Sequence, residues 1–312
     1  MVNRRNFLQS LSLLPLCATS ARAAKKPILK VSLNAYSFNK LLNDSIKARG
    51  QGVTLLEVLD FAAKNKFDGF DPTGYYFPGY PAVPENAYVD ELKRRAADLG
   101  IGISGTGVRN NFTTSDKAVR DAGVQHIQQW VEVAARLGAP VIRVFADTQM
   151  RNQTWETVAK GYTRDQVQDW IAAALKECAD RGKQYGVRIG VQNHGDFLKT
   201  GEDLLKLVKA VGSSSCGPIV DTGYFRSNDP YREMALVAPH AVNWQIKQSM
   251  AGPEPDNEIP VDLVRLTAII RKSGYSGYLP IETLGARGKD YDPYAVVPQF
   301  LKQLREALTQ TA

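Results

Sequence analysis

The chain has 312 residues, of which 44% are apolar and 23% charged, a composition typical of a folded globular protein and not of a disordered chain. The formal net charge is +7, but residues 1–23 hold three arginines and no acidic residue, so the remainder carries 36 basic and 32 acidic side chains. This small excess comes without a dense Lys/Arg stripe, which argues against a protein that binds nucleic acid.

The N-terminus has the order of regions found in export signals. An Arg-Arg pair at positions 4 and 5 is followed by an apolar stretch over residues 8–18 and by a small-x-small cleavage pattern at 21–23. We therefore predict a twin-arginine signal peptide over residues 1–23 and a mature protein, residues 24–312, that is exported to the periplasm. Because no segment is both long and apolar enough to span a bilayer, we expect no membrane contact in the mature form.

Beyond the signal, short apolar runs alternate with longer amphipathic stretches, a pattern that predicts parallel βα units. The apolar runs predict strands at 29–34, 68–72, 101–106, 140–146, 187–193, 217–221, 242–247 and 278–282. The amphipathic stretches predict helices at 54–66, 87–99, 116–138, 163–185, 201–211, 229–238, 260–273 and 292–309. Glycines stand where helices need a left-handed terminal residue, at positions 100, 138, 186, 212 and 274.

Eight strands that alternate with eight helices predict a single (β/α)₈ TIM barrel after the signal peptide. The alternative is a doubly wound open sheet, which more often carries a glycine-rich phosphate loop after its first strand. The first predicted strand is followed instead by Ala35-Tyr-Ser-Phe38, so the barrel is favoured.

In a barrel the chemistry lies at the carboxyl ends of the strands, and here four successive strands end in polar side chains. These are Gln192, Asp221, Gln245 and Glu282. Each alone has an ordinary explanation as a helix cap, a turn or half of an ion pair, but four in register favour one shared site. Two carboxylates and two amide oxygens form a hard ligand set that suits Mn²⁺ or Mg²⁺ better than Zn²⁺.

The chain resembles the xylose isomerase-like TIM-barrel family, the sugar phosphate isomerase and epimerase group, over about residues 28–309. The segments that carry the resemblance are 69–80, 103–107, 137–145, 191–194, 220–223 and 274–282. The resemblance implies a divalent ion bound by Gln192, Asp221, Gln245 and Glu282. The family's Glu-Asn-His motif reads Gln192-Asn-His194 in this chain. A glutamine can ligate but cannot act as a base, so this departure counts against an epimerase scheme with two glutamates.

Proton abstraction next to a carbonyl needs an electrophile at the oxygen and a base near the C–H bond. His194, with an ordinary pKa of about 6.5, is the first candidate base, and Glu282 is the second. Lys247 is a candidate to stabilise an enediolate or to donate a proton.

Residues near the strand ends are candidates to bind a carbohydrate, because aromatic rings stack on sugar faces and polar groups bind hydroxyls. The candidates are Tyr75, Tyr76, Arg143, Asn193, Trp244 and Arg287. Core packing is an equally good interpretation for each ring alone, and solvated surface is the default for Arg287.

These observations lead to a divalent-metal-dependent carbohydrate isomerase or epimerase that works through an enediolate. Two alternatives stay open: elimination from a 3-keto-glycoside on the same barrel, and a non-catalytic sugar-binding barrel. The sequence leaves the oligomeric state undecided, a homo-oligomer included, and it leaves the role of the insertion at 148–162 undecided. Cys178 and Cys216 are expected to be unpaired, buried thiols.

Overall fold

The computed structural model describes residues 27–150, 152–251, 258–285 and 290–312. The predicted signal peptide and Arg287 lie outside these ranges. Within them, none of the helices combines the length and the apolar character that crossing a bilayer requires.

Parallel strands form the centre of the molecule. In chain order they are β1 Leu29–Asn34, β2 Gly69–Asp71, β3 in two segments (Gly102–Ile103 and Thr106–Gly107), β4 Val141–Phe145, β5 Arg188–Gln192, β6 Cys216–Asp221, β7 Asn243–Gln245 and β8 Gly277–Ile281. Hydrogen bonds order them as β8-β1-β2-β3 and β3-β4-β5-β6-β7. Isolated parallel bridges, Thr73 to Gly107 and Ile246 to Ile281, join the two parts. The sheet is therefore closed, which confirms the predicted (β/α)₈ barrel over the open sheet.

Helices surround the barrel. They are α1 Asn39–Ile46, α2 Leu55–Lys64, α3 Asn86–Asp98, α4 Lys117–Leu137, α5 Trp155–Val158, α6 Arg164–Tyr185, α7 Gly201–Val211, α8 Pro230–Val237, α9 Leu263–Lys272 and α10 Pro293–Gln310. All eight predicted helices are present. The short α1 and α5 were not predicted, and α5 lies inside the 148–162 insertion. Two antiparallel strands that were also not predicted, Ser249–Ala251 and Glu258–Pro260, follow β7.

The helix ends follow from the chemistry of their caps. The five predicted glycines all have positive φ, between 62° and 86°, which L-residues with a Cβ adopt reluctantly. Asp229 and Asp292 each cap a helix whose first residue is proline. The helix predicted from residue 260 starts at Leu263, because the Asp262 carboxylate accepts the backbone N–H of Arg265.

The pleat of each strand decides which side chains enter the barrel. In β7, Asn243 reaches across the interior and donates its Nδ2–H to the carbonyl oxygen of Ser104 at 3.1 Å. Gln245 and Lys247 share that inward face, whereas Trp244 points outward, where its ring packs near Tyr275. The free cysteines Cys178 and Cys216 are both buried and unpaired, as expected.

Candidate active site

A cavity of about 500 Å³ lies at the carboxyl end of the barrel strands. Loops and strand ends from around the barrel contribute to its walls, as the rule for barrel active sites requires. Its lining comprises Tyr36, Tyr75, Arg109, Arg143, Phe145, Thr148, Gln149, Met150, Gln192, His194, Tyr224, Lys247 and Glu282.

Two of the predicted metal-ligand residues, Gln192 and Glu282, line this cavity together with Lys247, and Asp221 is buried next to Gln192 and Lys247. Gln192 donates its Nε2–H to Asp221 Oδ2 at 2.5 Å. Lys247 Nζ forms an ion pair with Glu282 Oε1 and lies 3.6 Å from Asp221 Oδ2. Gln245 instead accepts a hydrogen bond from Asn34 Nδ2 of β1, at 3.2 Å.

This arrangement does not fit a divalent cation. The Lys247 ammonium contacts one carboxylate oxygen and faces another, and the Gln245 oxygen is already bonded to Asn34. Of the side-chain oxygens of the four predicted ligands, Gln192 Oε1 is the one that is buried without a partner. No group of three or more His, Cys, Asp or Glu side chains in the described ranges is placed to hold a metal ion. The structure thus brings Gln192, Asp221 and Glu282 together around the Lys247 ammonium group, which lies where Mn²⁺ or Mg²⁺ was expected, while the Gln245 oxygen is bonded to Asn34.

The lysine and its carboxylates stabilise each other's charged forms. Burial raises the pKa of Asp221 to about 6, and the Lys247 ammonium opposes that rise. Burial also disfavours the charge on Lys247, but Asp221 and Glu282 outweigh it, and the pKa of Lys247 is raised. At neutral pH Lys247 therefore carries its charge inside the barrel.

His194 stands two residues beyond the end of β5, with its ring in the cavity wall. The ring lies between Phe145, at 5.1 Å between centroids, and Tyr224, at 4.3 Å. Burial and the cations Lys247 and Arg143 lower the pKa of His194 to about 3. The imidazole is therefore neutral at working pH, and no side chain of the described ranges hydrogen-bonds its ring nitrogens.

Asp147, which the sequence analysis did not single out, fixes the loop that carries His194. Its carboxylate accepts backbone N–H groups from His194 at 3.1 Å, Asp196 at 3.2 Å and Leu198 at 3.0 Å, and also from Phe197. Burial raises the pKa of Asp147 to about 7, and these N–H groups oppose the rise. Its position directly after the fourth predicted strand was the available signal.

Arg143 and Tyr75 line the cavity as predicted for substrate-binding residues. Arg143 is 7% exposed; its Nη2 donates to the Tyr75 hydroxyl at 2.7 Å, and its Nη1 is buried without a partner. The Arg109 guanidinium lies 4.5 Å from the centre of the Tyr75 ring. Tyr36 and Tyr224, which were not predicted from the sequence, also line the cavity.

Three predicted substrate-binding residues do not line the cavity. Asn193 is fully buried and exchanges two hydrogen bonds with the backbone of Asp221, so it ties β5 to β6. Trp244 is fully buried on the outer face of β7 because the pleat alternates side chains. Tyr76 is buried and donates its hydroxyl to Asn39 Oδ1 of α1 at 2.8 Å. All three have structural roles.

The family follows from a direct comparison. A family model described as xylose isomerase-like TIM barrel matches residues 59–306. The chain belongs to this family.

Solved structures of similar shape include several sugar epimerases. L-ribulose 3-epimerase has a TM-score of 0.70 at 17% identity, over 91% of this chain and 96% of that one. The apo form of the 3-keto-D-glucoside 4-epimerase YcjR from E. coli has a TM-score of 0.68 at 16% identity, over 90% and 100%. The IOLI protein with a bound zinc atom has a TM-score of 0.69 at 14% identity, over 91% and 99%. At such identities the likeness establishes the fold, and the chemistry must be argued from this chain's own residues.

Proposed function

We propose that the protein is a carbohydrate isomerase or epimerase-like enzyme that removes a proton from a carbon next to a carbonyl. The observation that carries this proposal is the placement of a neutral base and a charged acid around one cavity. The Tyr224 ring packs against His194 on one side, and Lys247 Nζ lies 5.3 Å from the centre of the same ring. A small carbohydrate bound over Tyr224 would meet both groups.

Lys247, His194 and Glu282 have different roles in this proposed reaction. The Lys247 ammonium donates a hydrogen bond to the carbonyl oxygen and stabilises the negative charge that develops there. His194 accepts the proton from the adjacent carbon, and the electrons of the broken C–H bond form the enediolate. Return of a proton to the other carbon gives an isomer, and return to the opposite face gives an epimer. Glu282, paired with Lys247, moves a proton between the substrate oxygens.

Other residues of the cavity lining are suited to holding the substrate. Arg143 offers its unpartnered Nη1, and Arg109 and the Tyr75 hydroxyl lie beside it. Such groups bind hydroxyl or carboxylate oxygens, and the rings of Tyr36 and Tyr224 suit stacking on a sugar face. The names of the structural neighbours, which are sugar epimerases, support a carbohydrate as substrate.

Elimination from a 3-keto-glycoside is the second candidate. Its first step, removal of a proton next to the keto group, uses the same base, and the aglycone then leaves from the next carbon. One observation favours it: Gln192 cannot act as a base, and Glu282 is engaged by Lys247. Among the described residues that line the cavity, His194 is then the neutral side chain that can act as a base, and elimination needs no second base on the opposite face. An exported protein, which we propose from the signal sequence, also suits a glycoside better than a cytoplasmic sugar phosphate.

The test is incubation of the purified protein with ketohexoses or 3-keto-glucosides in D₂O, with detection by NMR. Deuterium next to the carbonyl with a new epimer supports the first candidate, and released aglycone supports the second. We expect His194→Ala to reduce turnover by about 10²- to 10⁴-fold with an unchanged unfolding midpoint. Full activity of this variant would remove His194 from the mechanism. Sugar binding without deuterium exchange in any substrate would favour a non-catalytic barrel.

A further inference from the structure

Lys247 lies between the carboxylates to which the family resemblance assigns a divalent ion. We propose that its ammonium group takes the place of that ion, so that this barrel works with a cation built into its own chain. The catalytic half of this inference rests on the proposed function, while the structural half does not.

The lysine supplies the positive charge of the cluster, one ammonium group against the two carboxylates of Asp221 and Glu282. Asp221 is fully buried, Glu282 is 8% exposed and Lys247 is 6% exposed. Buried carboxylates require a counter-charge, because water no longer solvates them. Within the described ranges, Lys247 is the cation that lies within 4 Å of either carboxylate.

The residues that follow β6 lie along the side chain of Lys247 and set its direction. The backbone N–H of Lys247 donates to Thr222 Oγ1 at 2.8 Å. A Cβ on Gly223 would lie 2.9 Å from Lys247 Cγ, so the aliphatic stem needs the bare glycine beside it. The Tyr224 ring then lies near the ammonium group. Three successive residues thus direct Lys247 Nζ toward Glu282 and Asp221.

The two amide residues weaken the site for a metal. Gln192 supplies no negative charge and directs its NH₂ group to Asp221, and the Gln245 oxygen accepts from Asn34. A divalent ion would need several oxygens within roughly 2.0–2.6 Å. It would have to displace Lys247 to reach the carboxylates, and the displaced charge would remain close by.

An ammonium group differs from a metal in two ways that matter for the reaction. It donates hydrogen bonds through its three N–H groups, which a metal ion cannot do. It also cannot dissociate, so a chelator has nothing to remove. Stabilisation of the developing oxyanion would therefore persist without any added metal.

The first measurement uses the wild-type protein and needs no substrate. We expect the purified protein to contain less than about 0.1 equivalent of divalent metal by mass spectrometry. We expect its unfolding temperature to be the same in EDTA and in excess Mn²⁺, since a ligand that does not bind the folded state does not stabilise it. One equivalent of metal together with a lower unfolding temperature in EDTA would overturn the inference.

The second measurement removes the ammonium. In Lys247→Ala the carboxylates lose their counter-charge and space opens beside them. We expect excess Mn²⁺ to raise the unfolding temperature of this variant by roughly 5 °C or more relative to EDTA. Lys247→Met, which keeps the volume but not the charge, should respond less. Lys206→Ala, a change at a lysine whose side chain is 61% exposed, controls for net charge and should not respond.

Absence of an Mn²⁺ response in Lys247→Ala would overturn the claim that the ammonium occupies a cation site. An equal response in the wild type would do the same. Should Lys247→Ala not fold, the wild-type metal content and chelator response still decide the question. Failure of the proposed function is distinguishable, because it would appear as absent turnover while these metal measurements stay as expected.

Discussion

His194 illustrates how the surroundings of one residue set its chemistry. The same imidazole in an unfolded chain titrates near pH 6.5, whereas burial and the neighbouring cations hold its pKa near 3 in the folded protein. The folded protein therefore keeps a neutral base in the cavity over the whole physiological range. Lys247 shows the opposite case, because two carboxylates raise its pKa and keep it protonated despite burial.

A pH dependence of stability follows from His194. The pKa of His194 is lowered in the folded state. Between pH 6.5 and 3 its imidazole is therefore protonated in the unfolded chain and neutral in the folded protein. The contribution of His194 to stability is thus present above pH 6.5 and is lost as the pH falls toward 3. We expect denaturant unfolding of His194→Gln to vary less steeply with pH in this window than that of the wild type. Identical slopes in the two proteins would contradict the lowered pKa.

At the scale of elements, hydrogen bonds between neighbouring strand ends fix the loops that carry the site. The Asp147 carboxylate, just after β4, gathers the backbone N–H groups of residues 194–198 that follow β5. Asn193 fixes β5 to β6 in the same manner through the backbone of Asp221. These contacts hold the His194 ring in the cavity wall although the residue lies in a loop.

Replacement of Asp147 should therefore loosen the loop. In Asp147→Asn the new NH₂ group faces backbone donors, which leaves N–H groups unpaired. We expect a loss of about 1–3 kcal/mol in the free energy of unfolding, together with reduced kcat. Chemical denaturation and turnover measure the two effects. Asp165→Asn, at a side chain that is 79% exposed, is the matched control and should change neither. Wild-type stability in Asp147→Asn would show that the loop does not depend on this carboxylate.

At the scale of the whole molecule, closure of the barrel brings the site together. The bridges Thr73 to Gly107 and Ile246 to Ile281 complete the ring of strands. As a result Glu282, which follows β8, comes close to Lys247, which follows β7, and to Asp221, the last residue of β6. The family membership and the shapes of the epimerase structures agree with this closed architecture.

Export is a property of the whole chain that the structure does not describe, and it stays a prediction. If the first 23 residues are a twin-arginine signal, changing Arg4 and Arg5 together to lysine should abolish transport to the periplasm. Cell fractionation and detection of the shortened mature protein measure this. Replacing Arg22 with lysine leaves the Arg-Arg pair intact and serves as the control. Normal transport of the double variant would contradict the assignment.

The sequence by itself determined the barrel and the identity of most strand-end residues. Those features follow from local physics: apolar periodicity, capping residues and glycines at positive φ act within a few neighbouring residues. The sequence could not show that Asn193 and Tyr76 lie outside the cavity lining, because their partners, the Asp221 backbone and Asn39, lie on other elements.

Only the tertiary structure decided what fills the centre of the site. From the sequence, four oxygen-bearing side chains at strand ends predicted a metal site. In the folded chain Lys247 Nζ lies next to two of them, Asp221 and Glu282. That outcome depends on the bare Cα of Gly223, on the Tyr224 ring and on the closure that brings Glu282 to Asp221. These are contacts between distant segments, and no local pattern in the chain encodes the path of one long, flexible side chain.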